Sequence, residues 1–411
     1  MTDRRALLAL LLAAAALWHA LALLAPEQPP PHPGAVGRDY ATYHYAAQTA
    51  LAGGDPYDTA QLDAAAHAEG VRRNAVYPWI YPPPAVLLFV WAPSVSLQTG
   101  LRIWQAVSEL ALLGSIAVLA VGWKPLGSGR VLAILAIALS LMWGVEYGHH
   151  LGQANAPVLF LTLLGLVLAE SVPAIGGGLV GIAVMVKLAP ALFVGLLVLE
   201  RRWRAVLGAT VAMAACTVLS LAVVGTEGQR HFWTGVLPGL STGDYNGLSI
   251  RIDMFANHSL PSVLNHVWPG GDTLSTAAWA GSLAVGLAVL AVLAALFHVP
   301  TTDPLVRAAR IGAVASAALL LPVYTFDHHL VWLAPAIVAV GVGLAERRLP
   351  AWAGIPAGIA LAVVCLPNPP LRRLATYYDG TAVAVVVEGS KHLALWAWLV
   401  LTAWLGRARQ S

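Results

Sequence analysis

Charge and cysteine are both scarce in this chain. Only 10% of its 411 residues are Asp, Glu, Lys or Arg, against roughly 25% in a soluble globular domain, so water is excluded as the main solvent. The 2 cysteines, Cys216 and Cys365, lie far apart in apolar stretches. They lack the spacing of a metal site and read as small core residues, a usage that does not fix the redox compartment. No basic cluster interleaved with aromatics is present, so no nucleic-acid partner is expected. The chain also has no P-loop, no Gly-rich dinucleotide turn and no Asp-x-Asp pair. That set of absences argues against a soluble nucleotide-sugar donor.

Apolar sequence is what the chain has in quantity: 58% of its residues are hydrophobic, in long Leu, Ala and Val runs. About 20 such residues make one helical crossing of a bilayer, and continuous runs do not fit the alternation of barrel strands. The expected fold is an all-α polytopic membrane protein with about 12 transmembrane helices. They are placed near 6–25, 84–97, 99–122, 131–147, 156–170, 175–199, 205–224, 274–297, 307–325, 330–345, 351–366 and 383–405. The segment 84–97 follows Pro82, Pro83 and Pro84 and reads as a broken helix that does not fully cross. Residues 1–25 also resemble a signal peptide, with Arg4 and Arg5 before an apolar run, although the run is long enough to span.

Arginines flank several helix ends: Arg4 and Arg5, Arg201, Arg202 and Arg204, Arg307 and Arg310, Arg347 and Arg348, Arg407 and Arg409. The positive-inside rule then places both termini in the cytoplasm. Lys124 and Arg130 conflict with a strict count from the N-terminus. Three polar stretches, 26–83, 225–273 and 367–382, fall on the outer side, and the whole of 1–411 reads as a single integral unit. In the first stretch, Tyr40 to Ala52 reads as a short amphipathic helix on the membrane surface, ended by Gly53-Gly54.

Five groups of residues are candidates for chemistry. Asp39, in Gly37-Arg38-Asp39-Tyr40, is either a general base or the N-cap of the helix beginning near Tyr40. Lys187 lies midway through an apolar helix, where an ammonium needs an anionic partner: a lipid phosphate, or Glu146 or Glu170. Phe326-Asp327-His328-His329 offers a histidine pair able to bind phosphate, shuttle a proton or join a metal site; further metal ligands are lacking apart from His149 and His150. Gln153 and Asn155, in Tyr147 to Asn155, have amides suited to sugar hydroxyls or to helix caps. Asn246, Arg251, Asp253, Asn257 and His258 crowd one outer loop, as a merely solvated loop also would.

In their order along the chain these segments resemble glycosyltransferase family 87, the polyprenyl-phosphate-sugar-dependent transferases of GT-C type. The resemblance rests on RDYATYHYAAQTALAGGDPYD, YPPPAVLLF at 81–89, GQAN at 152–155, GIAVMVKLAPA at 181–191 and DHHLVWLAPA at 327–336. It implies Asp39 as the catalytic aspartate, a functional histidine in the His328–His329 pair, and Lys187 near the donor phosphate. Arg251 joins Lys187 as a phosphate-binding candidate, and Tyr81, Gln153, Asn155, Asn257 and His258 are expected to contact substrate. The implied partners are a polyprenyl-phosphate sugar donor, a glycolipid or glycan acceptor and the bilayer, with mannose the expected sugar and arabinofuranose the variant. No cofactor or metal is expected, since side chains can neutralise a monophosphate leaving group. The loop 246–266 departs from the family pattern and leaves the acceptor open. A flippase of lipid-linked saccharides would share the helices without needing Asp39, and an envelope scaffold would need no transfer at all.

Overall fold

The computed structural model describes residues 37–72, 75–123, 126–271 and 273–407. The expected helix at 6–25, Arg4, Arg5, Lys124 and Arg409 lie outside the described residues.

All regular structure among the described residues is helical. Helices α1 (Arg38–Leu51) and α2 (Thr59–Ala68) lead through short 3-10 turns at Pro83–Leu88 and Ala92–Ser94 into α3 (Leu97–Gly122). Pro93 inside the segment expected at 84–97 removes a backbone donor in mid-course, and the segment forms two 3-10 turns in place of a helix. Next come α4 (Ser128–Leu141), α5 (Trp143–Leu151), α6 (Asn155–Leu168), α7 (Pro173–Val186), α8 (Ala191–Leu199) and α9 (Trp203–His231). After a π turn at Phe232–Val236 follow α10 (Leu237–Thr242), α11 (Leu260–Val267), α12 (Thr276–Phe297) and α13 (Pro304–Leu320). A 3-10 turn at Asp327–Leu333 opens into α14 (Ala334–Ala345), and α15 (Gly354–Cys365), α16 (Asn368–Tyr377) and α17 (Ala382–Gly406) complete the chain.

Among the described residues five helices are long and apolar enough to cross a bilayer, or seven if two bent pairs each count as one span. The expected count of about 12 is therefore not reproduced. The pairs are α4 with α5, bent by 63°, and the segment Ala351–Cys365 with α16, bent by 99°. Exposed leucines such as Leu110 (69%) and Leu207 (64%) cover the outer surface, an arrangement that lipid tolerates and water does not. The chain is an all-α membrane protein.

Helix α13 is buried along nearly its whole length, and α14 and α17 pack on it. Helices α7 and α9 meet through glycines: at Gly177 and Gly181 an added Cβ would overlap the Ala205 and Ala209 carbonyls, and at Gly208 that of Ala174. Small residues let the two backbones approach this closely, as is usual where helices pack in membranes.

Three expectations are corrected at this level. Helix α1 is not a surface helix, because 11 of its 14 residues are buried. The stretch 225–273 is not all loop: α9 continues to His231 across a kink at Gly225 (φ 68°, ψ 179°). Arg307 and Arg310 do not flank their helix end as exposed charges either, being 6% and 0% exposed. Arg307 pairs with Glu170, and Arg310 donates from Nε to the Gly406 carbonyl at 2.9 Å.

Candidate active site

Lys187, Asn155 and Leu321 stand at the ends of α7, α6 and α13, and all three helices lead back to the ion-paired end of the molecule. At 1.5 Å per residue, the 17 residues of α13 put about 25 Å between its start, at the Asp303–Arg348 and Arg307–Glu170 pairs, and its far end. That far end opens on a cavity of about 1120 Å³.

Two glycines in the left-handed region fix the local chain paths. Gly152 (φ 71°) ends α5 and releases Gln153 and Asn155 from the helix; Gly37 (φ 76°) starts α1. The Gly37 N–H donates to the His150 carbonyl at 2.7 Å, joining the two ends. Asp39 therefore sits in the first turn of α1 and does not act as its N-cap: the cap is Gly37, which has no side chain to offer. Lys187 is not midway through a helix, since α7 ends at Val186 and Lys187 turns extended (φ −145°, ψ 133°). Its charge lies just beyond the C-terminal carbonyls of α7, where the helix dipole favours a cation.

These helix ends converge. Gln153 Nε2 donates to Asp39 Oδ2 at 2.5 Å. Lys187 Nζ donates to Asn155 Oδ1 at 2.6 Å and to Gln153 Oε1 at 3.3 Å. One amide thus bridges an acid and a base that carry opposite formal charges. Neither Glu146 nor Glu170 is the partner of Lys187, and Glu170 is taken up by Arg307. Burial, the strongest influence, raises the Asp39 carboxyl to about 6, against the hydrogen bond from Gln153 and the charges of Lys187 and Arg38.

Aromatic residues frame this pair. Tyr43 Oη lies 2.9 Å from Tyr81 Oη and donates to Gln153 Oε1 at 3.3 Å. The Tyr57 hydroxyl donates to the Tyr81 carbonyl at 2.7 Å, and the Asn246 amide donates to the Tyr57 and Trp79 carbonyls. The Arg38 guanidinium lies over the Tyr77 ring at 3.6 Å. Arg38, Tyr43 and Tyr77 all line the cavity, and none of the three was singled out in the sequence. Their signal was an aromatic-rich segment directly around Asp39.

The turn at Asp327–Leu333 brings in the histidines. The His328 carbonyl accepts from the Asn155 amide at 2.9 Å. His329 Nδ1 accepts from the Phe326 N–H at 3.0 Å, which puts the ring proton on Nε2. Both rings line the cavity, their centroids 4.3 Å apart. Among the described residues no group of three metal-ligating side chains occurs.

Arg251 lies on the cavity wall but is paired with Asp253, its side chain 76% exposed. Asn257 and His258 do not line the cavity. Asn257 donates to the Ile252 and Val323 carbonyls, and His258 reaches the Asp327 carboxylate at 2.9 Å; both serve the wall behind it. Away from the polar head the cavity becomes apolar, running past Trp279, Leu283, Gly286, Leu287 and Leu290 of α12. Leu283 and Leu287 are half exposed on that helix, so the apolar lining reaches the outer surface of the molecule.

The sequence profile of Glycosyltransferase family 87 matches residues 79–322. That span takes in Tyr81, Gln153, Asn155 and Lys187, and stops short of Asp39 on one side and of the histidine pair on the other. A polyprenol-phosphate-mannose-dependent alpha-(1-2)-phosphatidylinositol mannoside mannosyltransferase of Mycobacterium tuberculosis is 25% identical over 312 residues, 72% of this chain and 67% of the relative. A polyprenol-phosphate-mannose-dependent alpha-(1-2)-phosphatidylinositol pentamannoside mannosyltransferase of the same species is 30% identical over 279 residues, 66% of this chain and 60% of the relative. Its counterpart in Mycolicibacterium smegmatis is 31% identical over 267 residues, 64% and 60% respectively. The chain thus spans less than two thirds of the length of the two pentamannoside relatives.

Proposed function

The chain belongs to glycosyltransferase family 87, and from that premise we propose that it transfers mannose from a polyprenyl-phosphate donor to a phosphatidylinositol-mannoside type of lipid acceptor at the outer membrane face. One observation carries the reading: Asp39 and Lys187 are bridged through Gln153 at the polar head of a cavity whose other arm is apolar and reaches the outer surface. The sugar sits at the head, and the isoprenoid lies along α12. The donor and acceptor classes come from the relatives' activities. An outward face is the reading the positive-inside rule favours, with the arginine-flanked helix ends on the cytoplasmic side.

In this reading Asp39 is the general base. Its carboxylate takes the proton of the acceptor hydroxyl as that oxygen bonds to the anomeric carbon, and the bond from that carbon to the phosphate oxygen breaks. A single displacement inverts the anomeric centre. The departing phosphate gains negative charge beside the Lys187 ammonium and the Nε2–H of His329, fixed donors in a site partly closed to water. His328 supports the same turn, and Tyr81 and the amides of Gln153 and Asn155 order the head around the sugar. Arg251 meets the phosphate only from the rim, by exchanging Asp253 for it.

The test is transfer by purified Asp39→Asn with radiolabelled polyprenyl-phosphate-mannose, run beside the arabinofuranosyl donor. The expected loss is about 10²- to 10⁴-fold, with donor binding retained. Turnover at the wild-type rate would remove Asp39 from the mechanism, and transfer from the arabinofuranosyl donor alone would change the sugar.

A further inference from the structure

Helix α17 carries a charge that this chemistry does not use. Lys391, in its middle, is 1% exposed. Its Nζ donates to Asp327 Oδ1 at 2.6 Å and to Asn368 Oδ1 at 2.9 Å. His258 Nε2 reaches the same carboxylate oxygen at 2.9 Å, and the His258 and Asp327 side chains are each 2% exposed. A lysine inside an apolar span is costly unless it is paired. Here one buried ion pair draws together the segment before α11 through the carboxylate and the start of α16 through the ammonium of α17.

What that carboxylate holds is the functional turn. Asp327 is its first residue, and His328 and His329 follow directly. From the His328 carbonyl the linkage continues through the Asn155 amide at 2.9 Å to Lys187 at 2.6 Å. On the opposite side Gly144 of α5 lies so close that an added Cβ would overlap the Asp327 carbonyl. The turn is therefore confined by backbone on one side and by an ion pair on the other.

We infer that Lys391 is a positioning residue, whose ammonium anchors Asp327 and thereby holds the His328–His329 turn and its Asn155–Lys187 linkage at the donor-phosphate end of the cavity. The inference rests on the transferase reading of that cavity, yet concerns a residue beyond the matched span of 79–322.

The experiment uses full-length purified protein with Lys391→Met, His329→Ala and the double variant, assayed with polyprenyl-phosphate-mannose. Lys391→Met keeps length and removes the ammonium. A shift of the turn by about 1 Å should lower kcat/KM about 100-fold. The double variant should lose less than the product of the two single losses, because part of the lysine's effect acts through the placement of that histidine. A merely structural lysine would give losses that multiply. Should Lys391→Met fail to fold, Lys391→Met with Asp327→Asn leaves no lone buried charge and should show the same non-additive loss. Wild-type kcat/KM in a folded Lys391 variant, or multiplying losses, would overturn the inference. Asp39→Asn run alongside separates the two ideas: full activity in that variant defeats the transferase mechanism, whereas its inactivity together with a fully active Lys391→Met defeats only the anchor.

Discussion

Asp39 is worth more to the proposed chemistry than to the fold. A carboxyl held at about 6 must ionise before it can accept a proton, so kcat/KM should rise with pH through about 6. Stability should move the other way. In the unfolded chain the same group ionises near 3.9; below about pH 4 both states are protonated and its burial costs nothing. Between pH 4 and 6 the unfolded chain loses its proton first, and above 6 the native state carries the full cost, about 3 kcal/mol for a difference of about 2 pK units. Asp39→Asn should therefore denature at a higher temperature than wild type at pH 7.5, and at nearly the same temperature at pH 4. Thermal unfolding in one detergent at both pH values checks this, and a less stable variant at pH 7.5 contradicts it. At this scale the sequence was informative at Lys187, a charge in an apolar run, at Asp39, in a loop poor in other acids, and at Gln153 and Asn155, at a break between apolar runs. It did not reveal which of them pair, because Gln153 meets Asp39 across 114 positions. Lys391 gave the same signal as Lys187, a lysine inside an apolar run, and was absorbed into an expected lipid span. Asn257 and His258 misled for the opposite reason: a crowd of polar residues in a loop also arises when they satisfy buried backbone.

Breaks in helices, more than helices themselves, shape the cavity. The break after α7 had a legible cause, Pro190 three residues beyond Lys187. The 63° bend between α4 and α5 had none, since Met142 at the corner is neither proline nor glycine. Its cause is tertiary: α5 packs on the Asp327–Leu333 turn, and Gly144 touches the Asp327 backbone with no room for a side chain. Gly144→Ala should accordingly push α5 off the turn and displace the histidines. The expected result is a loss of transfer of about 100-fold, the scale for a misplacement near 1 Å, with α-helical content by circular dichroism unchanged. Gly129→Ala, where an added Cβ meets nothing within 4 Å, is the control and should transfer normally.

For the molecule as a whole, length and apolar content announced a helical membrane protein, while only five to seven of the expected crossings are long, apolar helices among the described residues. Apolar windows count every hydrophobic run as a span, whereas here short helices, 3-10 turns and bent pairs are buried against one another around α13. That compact arrangement leaves α12 as one wall of the cavity, with Leu283 and Leu287 facing outward along the apolar arm. If the donor's isoprenoid lies there, its contribution should scale with buried hydrocarbon, about 0.8 kcal/mol per CH₂ group, until the chain leaves the arm. Donors built on one, two and several isoprene units should then show KM falling steeply at first and flattening once the arm is full, with kcat nearly constant because the tail is bound equally in ground and transition states. Leu287→Asp, which charges the arm without touching Asp39 or Lys187, should raise KM for the long donor by an order of magnitude or more and leave the shortest donor almost unaffected. A KM independent of chain length in the wild type would place the lipid elsewhere, and an equal effect of Leu287→Asp on long and short donors would show that the substitution disturbs the polar head and not the tail.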